Sequence, residues 1–152
     1  SESWWQLCYH SDMKAVIDTN VFLGACLGTG NAGKVIAACL DGHCVPLMGA
    51  ALLAEYEDVL GRKTLFAKCR LTAVEREGLL DIYLSKCEWV RVYYTWRPNL
   101  PDEADNHLVE LAVAGGADAI VTRNLRDLTR MELRFPSLRI LSPDIFLKEV
   151  LK

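Results

Sequence analysis

The sequence predicts a single α/β domain built on a mostly parallel sheet. Three observations carry that expectation. Short apolar runs alternate with segments of helical spacing from end to end, the order that builds strand–helix–strand units. Residues that start or stop helices separate these segments. The 152 residues, 51% of them hydrophobic, suffice for one real core but not comfortably for two.

The elements follow in order. Lys14–Asp18 reads as a short buried strand, apolar between polar ends. Asn31–Leu40 reads as a helix, with Val35, Ile36, Cys39 and Leu40 at helical spacing and Gly42 as its stop. Cys44–Met48 is a second apolar run, in which Pro46 argues for an edge position or a short strand. Ala50–Leu60 is helical, its stripe formed by Leu52, Leu53, Tyr56, Val59 and Leu60. Thr72 and Glu75 have the spacing of a capping box, opening a helix that runs to about Lys86.

Trp89–Tyr94 is a strand by its β-branched and aromatic content, and Arg97–Pro101 is a loop. Asp102–Ala114 is the next helix, with acids in its first turn where the dipole favours them and Gly115-Gly116 behind it. Ala119–Thr122 and Arg139–Leu141 are strands. Ser142 and Pro143 supply a cap and a first-turn proline for a final helix, Asp144–Leu151.

Residues 1–12 ignore this alternation and contain neither a basic start nor an apolar core of a signal peptide. They read as an N-terminal extension or an expression remnant, with 13–152 as the domain. No apolar stretch approaches the roughly 20 residues that span a bilayer. The six cysteines form no C-x-x-C pair, which suits buried reduced thiols in a cytoplasmic protein. Zinc held by Cys39, His43 and Cys44 is the sharper alternative, but it lacks a second ligand pair at suitable spacing. The net charge of −3 looks unfavourable for nucleic acid, although bound cations would reverse the local sign at any cluster of acids.

Those acids are the main functional signal. Asp18 closes the run Ala15-Val16-Ile17, Asn124 and Asp127 follow the run Ala119–Thr122, and Glu55 and the group Asp102-Glu103-Asp105 lie on helices. In parallel α/β proteins ligands bind outside the carboxyl ends of the strands. Carboxylates gathered there repel one another unless a cation neutralises them, and a hard divalent ion such as Mg²⁺ takes oxygen ligands of this kind. The reading that follows is a metal-dependent phosphodiesterase. Each acid also has a plainer role available: Asp18 as a turn or helix cap, Glu57 and Asp58 as a solvated face, Asp102 as a dipole partner, Asn124 or Asp127 as a cap. Glu55, flanked by Leu52 and Val59, points nearer the core than Glu57 does.

Gly28–Lys34 matches both G-x-G-x-x-G and G-x-x-x-x-G-K, patterns in which glycine lets backbone amides approach a phosphate. About nine residues separate Asp18 from Gly28, and Val35 replaces the hydroxyl residue that a P-loop needs after its lysine. A flexible turn leading into a helix is the better reading; nucleotide binding remains the minor one.

Taken together, the motifs resemble those of PIN-domain nucleases. Ala15-Val16-Ile17-Asp18-Thr19-Asn20-Val21 is similar to their opening strand motif, Pro101–Leu108 to the second acidic motif and Gly116–Leu128 to the third. Glu55, about 37 residues after Asp18, matches the family's glutamate. The resemblance spans Lys14 to Leu151. It implies a three-layer α/β/α fold with about five mostly parallel strands. It also implies a Mg²⁺- or Mn²⁺-dependent endoribonuclease, often the toxin of a toxin–antitoxin pair, leaving 5′-phosphate and 3′-hydroxyl ends.

Carried over residue by residue, the resemblance puts Asp18, Glu55, Asp105 and Asp127 in catalysis and Asp18, Asp105, Asp127 and Asn124 around the metal. Where relatives have T-x-D, this chain has Thr122-Arg123-Asn124, so Asp127 takes over or the metal is held more weakly. Asp102 resembles an accessory acid, and Thr19, Asn20 and Thr122 resemble residues that orient ligands or substrate. Arg123, Arg126 and Arg130 are the nearest cations for RNA. The partners implied are RNA, an antitoxin protein and a second copy in a homodimer. A different class of reading is a weakly active interaction module, using apolar residues such as Trp89, Tyr93, Tyr94 and Trp96.

Overall fold

The computed structural model describes residues 13–92, 106–125 and 137–151. Their strands form one five-stranded, all-parallel sheet: β1 (Lys14–Ile17), β2 (Val45–Met48), β3 (Glu88–Trp89), β4 (Ala119–Val121) and β5 (Arg139–Leu141). Six α-helices occur among the described residues: α1 (Thr19–Leu27), α2 (Ala32–Leu40), α3 (Ala50–Leu60), α4 (Ala73–Lys86), α5 (Asn106–Gly115) and α6 (Pro143–Val150). The arrangement is the expected α/β/α one. Among the described residues no single helix is long and apolar enough to cross a membrane.

The strand order is β3-β2-β1-β4-β5. From β1 the chain builds outward through β2 to β3, then returns to the other side of β1 for β4 and β5. The direction of winding therefore reverses between β1 and β4, which opens a crevice at their carboxyl ends. Ile17 is paired with Val121 in this register, so the residues that follow them, Asp18 and Thr122, emerge side by side.

Pro46 lies in an interior strand, paired with Ala15, rather than at an edge. The sheet tolerates it because β3 starts opposite Leu47, leaving no strand beside Pro46 on that side to ask for an amide proton. Strand β3 ends at Trp89, and Val90 adds one amide bond to the Met48 carbonyl at 2.8 Å. Tyr93 and Tyr94 of the longer expected strand lie outside the described residues, as does Trp96, while Trp89 is exposed.

Helix α1 is the element that the apolar pattern does not announce. It packs against α2 and α3, and buries Thr19, Val21, Phe22, Gly24 and Cys26. A Cβ on Gly24 would come within 2.9 Å of the Ala32 Cβ, so glycine lets α1 and the start of α2 approach. Gly28 caps α1 with φ of +71°, a left-handed backbone that glycine adopts without strain. The glycine-rich stretch thus begins at the far end of a helix and not directly behind a strand, which is where the phosphate-binding patterns need it.

The core is continuous across the sheet, with Ile17, Leu47, Met48, Leu52, Leu108, Leu111 and Ile120 fully buried. Phe22, Tyr56 and Tyr83 bring α1, α3 and α4 together through ring centroids 5.2, 5.4 and 6.0 Å apart. The five described cysteines, Cys26, Cys39, Cys44, Cys69 and Cys87, are free. Cys39 and Cys44 place their sulfurs 3.3 Å apart in the core, whereas His43 is exposed. Burial pushes the Cys26 thiol up to about 11 and the Cys87 thiol to about 12, which suits structural thiols over reactive ones.

Local capping follows the expected chemistry. The Thr72 amide donates to Glu75 Oε1 at 2.9 Å, and the Glu75 amide donates to Thr72 Oγ1 at 3.2 Å. Thr72→Ala removes the hydroxyl half of that box, and we expect a loss of about 1 kcal/mol. In a chain of this size the melting midpoint should fall by roughly 2–4 °C. An unchanged midpoint in thermal denaturation would mean that the box does not support α4. Ser142 caps α6 in the expected way, accepting from the Ile145 amide at 3.3 Å with Pro143 in the first turn.

Candidate active site

Asp18 occupies the junction between β1 and α1. Its amide is the last rung to β4, donating to the Val121 carbonyl at 2.9 Å. Its backbone is extended, and its side chain makes no capping bond to α1, so the plain cap role is not the one it fills. The carboxylate instead faces the crevice: Thr122 Oγ1 donates to Asp18 Oδ2 at 2.8 Å, and Asn20 Nδ2 donates to the same oxygen at 3.2 Å.

Asn20 binds the two strand ends together. Its amide nitrogen also reaches Thr122 Oγ1 at 3.3 Å, and its oxygen accepts from the Arg123 amide at 3.1 Å. Thr122 Oγ1 in turn accepts from the Asn124 amide at 3.0 Å, which turns the chain at the end of β4. Thr19 and Thr122 are both buried, and among the described residues Thr19 Oγ1 has no hydrogen-bond partner. The residues expected to orient ligands are therefore assembled around Asp18, from positions more than 100 apart in sequence.

Glu55 arrives from α3. That helix follows β2 after only Gly49, and Tyr56 seats it by donating its hydroxyl to the Ile17 carbonyl at 2.6 Å, one residue before Asp18. Glu55 is half-buried while Glu57 and Asp58 are exposed, in line with the sidedness read from Leu52 and Val59. Its Oε2 lies 2.7 Å from His107 Nε2 in the first turn of α5. Sequence reasoning assigned no role to His107. A histidine two residues beyond Asp105 was visible, but its partner lies 52 positions away.

The electrostatics of the two acids differ. Burial is the largest influence on Asp18 and raises its carboxyl above the ordinary value of 3.8; the Thr122 hydrogen bond opposes this, and the Glu55 charge raises it further. Glu55 moves the other way, lowered from 4.5 chiefly by the hydrogen bond to His107. The Thr19 hydroxyl acts in the same direction from outside good hydrogen-bonding geometry. The site thus holds an ionised Glu55 beside a carboxylate that would accept a compensating positive charge.

Arg123 is exposed, and its guanidinium crosses α1 to lie 3.4 Å from Thr29 Oγ1. Asn124 sits at the carboxyl end of β4 next to Thr122. Asp102, Asp105, Arg126, Asp127 and Arg130 lie outside the described residues, with Asp105 immediately before α5. Among the described residues no three His, Cys, Asp or Glu side chains converge as a metal cluster.

A parallel α/β sheet with a buried aspartate and a helix-borne glutamate at its switch point defines a carboxylate-centred α/β domain. Comparison with known proteins makes this specific. A family model described as the PIN domain matches residues 14–126, and the chain belongs to that family, whose members are generally nucleases. No curated protein matches the chain in sequence. Among solved structures, VapBC2 from Rickettsia felis bound to a DNA fragment from their promoter superposes with a TM-score of 0.54 and 16% identity. That match covers 86% of this chain and 98% of the other, and at this identity it speaks for the fold.

Proposed function

We propose that the protein is a metal-dependent endoribonuclease that hydrolyses RNA phosphodiesters, acting in the cytoplasm as the toxin of a toxin–antitoxin pair. The observation that carries the reading is Asp18: a buried carboxylate, raised by desolvation and by Glu55, at the switch point of a PIN-domain sheet. A divalent cation would offset both influences, and oxygen donors of this type suit Mg²⁺ or Mn²⁺. Asp18 and Glu55 would be joined by Asp105 and Asp127, with Asn124 as a neutral oxygen donor. When bound, such an ion supplies charge neutralisation at the scissile phosphate and an activated water at neutral pH.

The chain's own residues prepare that chemistry. Thr122 and Asn20 fix the Asp18 carboxylate by two hydrogen bonds to one oxygen. Arg123 at the rim, with Arg126 and Arg130, would steer the RNA backbone, and Asp102 would serve as an accessory acid. Thr122→Val keeps the shape but removes a donor to Asp18 and an acceptor for Asn20 and Asn124. Loss of an outer partner of this kind should weaken Mn²⁺ binding by roughly 10- to 100-fold. A calorimetric titration checks this, and an unchanged affinity would separate Thr122 from the site.

The reading is tested by incubating structured and single-stranded RNA with the protein in Mg²⁺, in Mn²⁺ and in chelator. Metal-dependent internal cuts with 5′-phosphate ends support it; metal-independent cutting, or none on any RNA, contradicts it. The antitoxin proposal draws on the likeness to VapBC2 and the homodimer proposal on the family resemblance; co-purification and mass in solution check them. A second reading, an interaction module of weak activity, is favoured by Trp89, 53% exposed on the outer strand β3.

A further inference from the structure

Glu55 carries a problem that its helix cannot solve. It sits beside Asp18, a like charge, and it has three rotatable bonds with a 38% exposed side chain. Such a side chain is drawn toward water by repulsion and by its own conformational freedom. What holds it is a different helix. His107 is in the first turn of α5, whose following residues Leu108, Val109, Leu111 and Ala112 are buried, so the backbone beneath the imidazole is fixed by the core. The His107 side chain is only 18% exposed, and its Nε2 is 2.7 Å from Glu55 Oε2. Among the described residues, the buried Nδ1 has no hydrogen-bond partner. A carboxylate can only accept, which makes Nε2–H the donor of a charge-assisted bond.

We infer that His107 is a positioning residue: it clamps Glu55 across the α3–α5 junction and keeps its carboxylate turned toward Asp18 and available to the metal site. The inference rests on the nuclease reading and extends it to a residue with no chemical step of its own. The clamp also links two helices, α3 and α5, that are distant in sequence. A purely structural pair would behave differently: its loss would lower stability and leave metal dependence alone.

The test compares His107→Ala and His107→Gln with wild type, measuring melting temperature, Mn²⁺ affinity by calorimetry and the Mn²⁺ concentration that half-saturates RNA cleavage. A glutamine amide can donate from near the Nε2 position. The expected result is a weakening of Mn²⁺ dependence by roughly 10- to 100-fold in the alanine variant. Most of it should return in the glutamine variant. Adding Glu55→Ala to His107→Ala should cost little more than Glu55→Ala alone, as for two residues acting as a unit. In the metal-free wild type, imidazole nitrogen NMR should show Nε2 protonated, with the signal perturbed by Glu55→Ala. Unchanged Mn²⁺ dependence with lowered melting temperature would overturn the inference, as would a glutamine variant no better than alanine. A wild type that neither binds Mn²⁺ nor cuts RNA is a different result: the nuclease reading fails there, before the variants are compared.

Discussion

Asp18→Asn is expected to abolish the proposed metal-dependent RNA cleavage and at the same time to raise the melting temperature of the metal-free protein. The change is nearly isosteric, so the bonds from Thr122 and Asn20 can pass to the amide oxygen. What disappears is the charge. Cleavage should fall by more than about 100-fold, the upper end of what even an outer partner of a metal site costs. Stability moves oppositely because the wild-type carboxyl is raised by burial above its unfolded value of 3.8. Between 3.8 and that raised value the folded protein holds its proton more tightly than the unfolded chain does. Stability is therefore lost as pH rises through this window, and the loss is complete above the raised value.

Asparagine has no such loss, so the gap between the two melting temperatures should widen from acid toward neutral pH. Glu55 opposes this in the wild type: lowered from 4.5, its contribution is present above that value and fades as pH falls through its folded value. It is common to both proteins and cancels to first order. Thermal melts of both proteins, in chelator, across the acid-to-neutral range check the prediction. A variant less stable than wild type at neutral pH would refute the claim that Asp18 is destabilised by its surroundings. Saturating Mn²⁺ should then stabilise wild type alone, by about 2.7 kcal/mol at 100 times its Kd.

Tyr56→Ala gives the largest expected loss of stability. Tyr56 is fully buried, stacks on Tyr83 at 6.0 Å, meets Phe22 at 5.2 Å and donates its hydroxyl to the Ile17 carbonyl. Removing a buried aromatic ring costs about 3–5 kcal/mol, a large share of the roughly 5–15 kcal/mol that holds a domain together. Tyr56→Phe keeps the ring and removes only the hydroxyl, with a loss of about 1–3 kcal/mol from the stranded carbonyl. That bond joins the residue after Glu55 to the residue before Asp18, so the phenylalanine variant should also weaken Mn²⁺ binding, though less than Asp18→Asn does. Denaturant unfolding and metal titration of both variants check this; a phenylalanine variant equal to wild type in both would free the site from dependence on the α3 seat.

Much of this architecture was legible because it is written locally. The β1, β2, β4 and β5 runs are short, apolar and bounded, and the Thr72 and Ser142 caps are set by residues three apart. Helix α1 escaped because it has almost no polar face: buried between α2, α3 and the core, Thr19–Leu27 shows no amphipathic period to detect. Of the two positions that Pro46 argued for, the short strand holds and the edge does not, because its tolerance depends on where β3 begins.

The site divides in the same way. Asp18 and Thr122 could be recognised as strand ends, and Glu55 as the inward acid of its helix. Their adjacency depends on the pairing of Ile17 with Val121 and on the Tyr56 bond, neither of which a one-dimensional pattern contains. Asn20 was expected to orient ligands, but its part in joining two strand ends is a tertiary fact. The contact of His107 with Glu55 is more remote still, since nothing in the spacing of α5 refers to α3.

The central claim is that Asp18 and its neighbours form a divalent-cation site that cuts RNA. Calorimetric titration of Mn²⁺ into wild type and Asp18→Asn, with a cleavage assay on the same samples, tests it most directly. The account predicts binding and metal-dependent cutting by wild type, with both lost in a variant that remains folded. Equal Mn²⁺ binding by the two proteins, or undiminished cutting by Asp18→Asn, would contradict it.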